Sequence, residues 1–147
     1  MKSFLRIFVA LAAMLTSSTL VSCKDVIITP DKLPAAAQSF IKEYFPETAI
    51  SYAKKDVELT KTSYEVTLQD GPEIDFDAKG EWDKVDCKRA AVPASLVPAV
   101  IAEYVQTSFP GQIIVKIDKE RYGYEIELAS DLELKFDKNG KLLSIDD

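Results

Sequence analysis

Histidine is absent from this chain of 147 residues. Without an imidazole, the chain excludes Ser-His-Asp triads, zinc sites with histidine ligands and acid–base catalysis by histidine. Any catalysis would have to rest on carboxylates, lysine, tyrosine or a thiol. We therefore predict that the protein is not an enzyme and has no catalytic residue, no metal site and no cofactor.

Cysteine and basic charge are also scarce. The only cysteines are Cys23 and Cys87, and if Cys23 is modified as argued below, a monomer cannot form a disulfide. Cys87 is then either a small buried hydrophobe or a reactive thiol. With 18 basic against 24 acidic residues, the composition argues against nucleic acid as a partner and against charge-driven binding to anionic lipid.

The apolar run near the N-terminus is too short to span a bilayer. Lys2 and Arg6 lead into the run 7–15, and this order is typical of a secretion signal, here over residues 1–22. Leu20-Val-Ser-Cys23 resembles a bacterial lipobox, which implies cleavage after Ser22 and acylation of Cys23. Several acyl chains on one residue would hold a domain firmly at a membrane. An ordinary cleaved signal with a chance cysteine is the alternative.

Lys24-Asp25 follows the cysteine directly and resembles the surface-export signals of Bacteroidetes lipoproteins. We therefore predict a lipoprotein of the cell envelope, either periplasmic or exposed on the surface. Its only contact with the membrane would be through acylated Cys23. Residues 23–32 are predicted to be a tether, followed by a single domain over residues 33–147.

Within that domain, the second half of the sequence repeats the first. Leu33-Pro34 opens an apolar helical pattern that stops at Phe45-Pro46, and Val97-Pro98 and Phe109-Pro110 match these positions 64 residues later. The further matches are 64–68 with 124–128 and 73–80 with 133–140, both 60 residues apart. A period of this length is typical of a duplicated structural unit, and we predict units over 33–89 and 95–147.

Each unit changes from helical spacing to strict alternation. Tyr64, Val66 and Leu68 alternate with polar residues, as do their counterparts at 124–128, and this alternation predicts antiparallel strands with one buried and one solvated face. We therefore predict an α+β fold, a tandem repeat of a helix plus about four antiparallel strands. The two helices would pack on one face of a shared antiparallel sheet of about eight strands.

These motifs together resemble the PepSY-like family with a β-lactamase-inhibitor-protein-like fold. The resemblance covers residues 33–147 and is carried by the two Pro-led helices, the Tyr-x-Val/Ile-x-Leu strands and the Phe-Asp-x-x-Gly turns at 76–80 and 136–140. It implies a tandem helix-plus-sheet fold and non-catalytic binding of a protein or peptide, with inhibition of a hydrolase as one form. It implies no catalytic residues.

The solvated side of the predicted sheet is the candidate binding face. Its members share alternate positions on the strands: Glu65, Thr67, Glu73, Asp75, Glu125, Glu127, Glu133 and Lys135. Such a face can attract a basic partner, or its charge can simply keep the sheet soluble and prevent aggregation. Trp82, the only tryptophan, is either a packing residue or an exposed aromatic that contacts a partner.

Two further patterns have competing interpretations. Asp75-x-Asp77-x-Lys79-Gly80 resembles the start of a calcium loop, but Lys79 stands where an oxygen ligand is needed, and we favour a hairpin turn. Glu73 and Asp75 could serve glycoside hydrolysis only if one of them were desolvated in a cleft. We predict a non-enzymatic binding module of the envelope with an unknown protein or peptide partner. The alternative is an accessory component of an envelope complex that has no ligand of its own.

Overall fold

The computed structural model describes residues 24–147. The helices are α1 (Ala35–Tyr44) and α2 (Ala99–Ser108), and a short 3₁₀ turn precedes each of them. The strands are β1 (Lys24–Ile27), β2 (Ile50–Val57), β3 (Thr62–Leu68), β4 (Glu73–Asp77), β5 (Trp82–Asp86), β6 (Ile114–Lys119), β7 (Gly123–Leu128), β8 (Glu133–Asp137) and β9 (Leu142–Asp146). The predicted leader and Cys23 lie outside the described residues.

All nine strands form one antiparallel sheet in which each strand pairs with the next one in sequence. Within residues 24–147, no helix is long and apolar enough to cross a membrane. Both helices cover the same face of the sheet, because residues of α1 and α2 belong to the same buried cluster as the inward-facing residues of the strands. The other face carries no helix in the described part of the chain.

Proline residues lie at both ends of each helix. Pro34 and Pro98 stand directly before α1 and α2, where a missing N–H costs nothing. At the other ends, the N–H groups of Phe45 and Phe109 close the last turns by donating to carbonyls four residues back, both at 2.8 Å. Each phenylalanine precedes a proline, which disfavours helical backbone in the residue before it.

The core lies between the helices and the sheet. Phe76 and Phe136 are fully buried, as are Val66 and Leu68 on the alternating positions of β3, so the predicted inward face is confirmed. Each phenylalanine meets an aromatic ring from one helix edge to face. The ring centroids of Phe40 and Phe76 are 5.6 Å apart, and those of Tyr104 and Phe136 are 5.5 Å apart. Such pairs stabilise a core beyond the area they bury.

The predicted fold class is wrong. Over residues 24–147 the protein is a nine-stranded antiparallel sheet with two α-helices of ten residues each, mostly sheet, and not a tandem repeat of a helix plus about four strands. The additional strand is β1, which falls in the segment predicted as a tether and pairs with β2 from Lys24↔Val57 to Ile27↔Lys54. All four β1 side chains are exposed, so burial imposes no alternation of apolar and polar residues on this strand. Only the pairing of its backbone groups with β2 defines it as a strand.

Candidate functional site

The face of the sheet without helices carries two rows of side chains that run across the strands. The strand registers place one row as Lys54, Glu65, Asp75, Lys84, Asp118, Glu125, Lys135 and Ser144. The second row is Tyr52, Thr67, Glu73, Asp86, Lys116, Glu127, Glu133 and Asp146. We call these sixteen residues the charged face. All eight residues of the predicted binding face belong to it.

Sequence analysis placed Lys135 on this face but missed Lys54, Lys84 and Lys116. Lys84 Nζ lies 2.9 Å from Asp75 Oδ2, and Lys54 Nζ lies 3.3 Å from Glu65 Oε2. Beside the second row, Lys88 Nζ lies 2.7 Å from Glu73 Oε2. The charged face is therefore a lattice of paired charges in which nine carboxylates outnumber four lysines. The alternation of Lys116 and Asp118 with buried Val115 and Ile117 was the signal in β6 that could have placed them there.

Partial burial decides how these charges titrate. Burial lowers the pKa of Lys54, but the carboxylates of Glu65 and Asp56 outweigh it and raise that pKa above its usual range. Burial raises the pKa of Asp118, and Lys116, whose Nζ lies 3.2 Å from Asp118 Oδ2, only partly opposes this. The lysines of the face therefore remain charged at neutral pH, while the surroundings of Asp118 disfavour the charged form of its carboxyl group.

A cleft opens beside the first row of the charged face. Its volume is about 470 Å³, and it lies where β5 and β6 pair at only three positions, from Lys84↔Asp118 to Asp86↔Lys116. Its charged lining comprises six carboxylates and four cations: Asp56, Glu65, Asp75, Asp83, Asp118, Glu120, Lys61, Lys84, Lys119 and Arg121.

Two carboxylate oxygens beside this cleft are buried without a hydrogen-bond donor. They are Asp56 Oδ1 and Asp75 Oδ1. Asp56 also faces Asp25 directly across the β1–β2 pair, and burial together with Asp25 raises its pKa, against the effect of Lys54. A buried acceptor without a donor costs about 1–3 kcal/mol in lost hydration, so a donor brought by a partner would be stabilising here.

Trp82 lies on the opposite, helix-covered side of the sheet and not on the charged face. It is half-buried, its ring centroid lies 6.2 Å from that of Phe40, and Lys119 Nζ stands 3.7 Å from its centre. These are the contacts of a packing residue with a cation over its open side. The interpretation of Trp82 as a packing side chain describes this environment better than that of an exposed aromatic.

The Phe-Asp-x-x-Gly segments are hairpin turns that hold the helices. Asp77 Oδ1 accepts hydrogen bonds from the N–H groups of Lys79 at 2.8 Å and Glu81 at 3.0 Å. Gly80 has φ +86°, and a Cβ there would lie 2.8 Å from the backbone nitrogen of Ala37 in α1. The side chain of Asp77 is thus engaged in closing the turn, and residues 24–147 contain no group of three or more acidic, cysteine or histidine side chains that could hold a metal ion.

The arrangement also bears on the two remaining chemical alternatives. Glu73 and Asp75, the candidate pair for glycoside hydrolysis, are each paired with a lysine, and only Asp75 lines the cleft. Cys87 is buried, and burial followed by the nearby charge of Asp86 raises its pKa to about 11. Since the thiolate is the reactive form, this environment makes the thiol inert near neutral pH.

Comparison with known proteins agrees with this architecture. A family model described as "Putative beta-lactamase-inhibitor-like, PepSY-like" matches residues 61–144. No curated protein matches the chain significantly.

Three solved structures of similar sequence come from Bacteroides. One, from Bacteroides vulgatus, is described as a putative periplasmic protein of unknown function; it is 40% identical, with a TM-score of 0.81, over 84% of this chain and 100% of its own. A second B. vulgatus protein, of the DUF2874 family, is 37% identical, with a TM-score of 0.80, over 84% and 97% of the two chains. A protein from Bacteroides thetaiotaomicron, described as a putative calcium-regulated periplasmic protein, is 38% identical, with a TM-score of 0.80, over the same shares. The chain therefore belongs to the PepSY-like, β-lactamase-inhibitor-like family.

Proposed function

We propose that this protein is a non-enzymatic binding module of the bacterial cell envelope. Its charged face would receive a basic segment of a partner protein or peptide, and inhibition of a hydrolase is one form that such binding can take. The proposal agrees with the description of the family as inhibitor-like and of the similar structures as periplasmic. Anchoring through acylated Cys23 is part of the proposal.

The observation that carries it is the cleft with its two unsatisfied oxygens. Lysine and arginine side chains present several N–H donors each, which is what Asp56 Oδ1 and Asp75 Oδ1 lack. A donor reaching them requires that the side chains around the cleft shift slightly, since both atoms are covered. Charge-assisted hydrogen bonds of this kind are stronger than those between neutral groups.

The expected binding is governed by charge rather than by aromatic anchors. Interfaces of high affinity typically depend on Trp, Tyr and Arg, and the charged face contributes only Tyr52 from that group. Ion pairs across such a surface chiefly accelerate association and specify the partner. We therefore expect fast, salt-sensitive binding of modest affinity.

Calcium regulation, which is stated for the B. thetaiotaomicron relative, is not part of the proposal. Of the side chains that the calcium interpretation would use, Asp75 pairs with Lys84, and Asp77 accepts two backbone N–H groups through one oxygen.

The test is capture of proteins from envelope extract by three forms of the protein. The face variant carries Glu65→Lys, Glu125→Lys and Glu127→Lys. The control variant carries Glu43→Lys, Glu47→Lys and Glu103→Lys, which change the formal charge equally but lie at exposed positions on or next to the helices. A partner retained by the wild type and the control but lost by the face variant, with binding that weakens in salt, is the expected result.

Other outcomes would contradict the proposal. A partner captured equally by all three forms would show that the charged face is a solubility surface. Capture only after cross-linking, with none by the isolated protein, would favour the accessory role. Turnover of a glycan or peptide that a single carboxylate substitution abolishes would show that the protein is an enzyme.

A further inference from the structure

A second interaction surface lies at the edge of the sheet, where the two rows of the charged face end at Ser144 and Asp146. Strand β9 is the last strand in the sheet order, and no strand of the described residues pairs with its outer side. An unpaired edge presents a row of N–H and C=O groups that can accept another strand. Two large apolar side chains, Leu143 and Ile145, are 54% and 44% exposed on β9.

The chain itself contains an example of a strand added at such an edge, because β5 pairs with β4 in the same way as β9 pairs with β8. Ile74 pairs with Val85 as Leu134 pairs with Ile145, and both strand pairs carry the same irregularity next to a phenylalanine. The outer side of β5 is occupied by β6, and Val85 beneath it is fully buried. Ile145, at the matching position of β9, is also aliphatic, but no strand of the described residues lies beside it on the outer side.

The β5–β6 pair also specifies the sequence of the missing strand. Opposite β5, strand β6 places Lys116 against Asp86, Ile117 against Val85, and Asp118 against Lys84. In β9 the matching positions are Asp146, Ile145 and Ser144. A complementary strand therefore has a basic residue facing Asp146, then an aliphatic residue covering Ile145, and then a polar residue.

Backbone groups of β9 point the correct way for this pairing. In the template, the N–H of Cys87 donates to the carbonyl of Val115 across the β5–β6 pair at 2.8 Å. Since alternate residues of a strand direct their N–H groups to the same side, the N–H groups of Ile145 and Asp147 face outward from β9.

We infer that the outer edge of β9 is a docking site for an extended peptide segment of a partner protein, added antiparallel as a tenth strand with a basic–aliphatic–polar pattern. A second copy of this chain fits less well. An antiparallel pair of two β9 strands centred on Ile145 would set Asp146 of each chain opposite Ser144 of the other, and neither β9 carries a basic residue to place there. This site uses no side chain of the cleft and can be tested separately from the proposed function.

The probe is a synthetic peptide with the β6 sequence Ile-Val-Lys-Ile-Asp-Lys, titrated into the isotope-labelled protein and followed by NMR. We expect saturable shifts confined to residues 142–147 and the adjacent β8. Ile145→Lys, which directs a charge toward the new strand, should weaken binding by about tenfold or more. Val26→Lys, at an exposed apolar position on the opposite edge strand, should leave it unchanged.

A charge swap gives a readout that loss of folding cannot imitate. Replacing the first lysine of the peptide by glutamate should weaken binding by about threefold, as expected for one cross-strand charge pair. Asp146→Lys should reverse that preference. Shifts outside the β9 edge, equal binding by Ile145→Lys, or a dimer that Ile145→Lys dissociates would each overturn the proposal.

Discussion

Gly80 and Gly140 offer a matched test of the role of the two Phe-Asp-x-x-Gly turns. Both glycines have positive φ, +86° and +79°, and both donate their N–H at 3.0 Å to the carbonyl of the aspartate three residues earlier. The two turns differ in what lies behind them. A Cβ on Gly80 would lie 2.8 Å from the backbone nitrogen of Ala37, whereas one on Gly140 would lie 3.0 Å from Cγ1 of Val100.

The change to alanine should therefore lower the free energy of unfolding more at Gly80 than at Gly140. Left-handed backbone costs a residue with a Cβ about 1–2 kcal/mol, and alanine also stiffens the unfolded chain, which offsets about 0.4–1 kcal/mol. Both contributions are common to Gly80→Ala and Gly140→Ala. The difference is that α1 must move away from Gly80, at about 1–3 kcal/mol for an overpacked contact, while Val100 is 57% exposed and can yield.

The assay is urea unfolding followed by circular dichroism, with the fluorescence of Trp82 as a second probe. We expect the free energy of unfolding of Gly80→Ala to be about 1–3 kcal/mol below that of Gly140→Ala, with equal dependence on urea. Added calcium should change neither value, because the turn acts through its contact with the helix. An equal loss in both variants, or a larger loss in Gly140→Ala, would refute the reasoning.

Three further predictions concern residues outside the turns. The pKa of Cys87 is raised from 9.0 to about 11, so this thiol contributes stability that is complete below pH 9 and is lost as the pH rises through 11. Cys87→Ala should flatten that alkaline loss in pH-dependent unfolding, and the native thiol should resist alkylation near neutral pH. Lys119→Met should destabilise the protein by about 0.5–1 kcal/mol, and Lys55→Met should destabilise it less. The reason is distance, since Lys119 Nζ lies 3.7 Å from the centre of the Trp82 ring, whereas Lys55 Nζ lies 6.0 Å from the centre of the Tyr64 ring. Equal losses of stability in thermal unfolding would contradict the cation–π contact. Cys23→Ser should move the protein from the membrane to the soluble fraction, and an unchanged fractionation would contradict acylation.

Local patterns in the sequence identified most of the strands and both helices. The prolines at 34 and 98 and the Phe-Pro pairs at 45–46 and 109–110 bound the helices, because proline restricts its own backbone and that of the residue before it. Strict alternation located the strands and the buried positions of Phe76 and Phe136, since a strand with one wet face must alternate. The same alternation predicted which eight side chains share the candidate binding face.

Tertiary structure alone decided how these pieces form the surfaces on which the proposals rest. Strand β1 has no sequence pattern, and it exists because the open edge of β2 offers backbone groups to pair with. The registers of the strand pairs set Lys84 against Asp75, so the candidate binding face is a lattice of ion pairs beside a cleft in which Asp75 Oδ1 has no donor. Composition and periodicity report which face a side chain takes, but its neighbours come from other strands, and only the folded sheet brings them together.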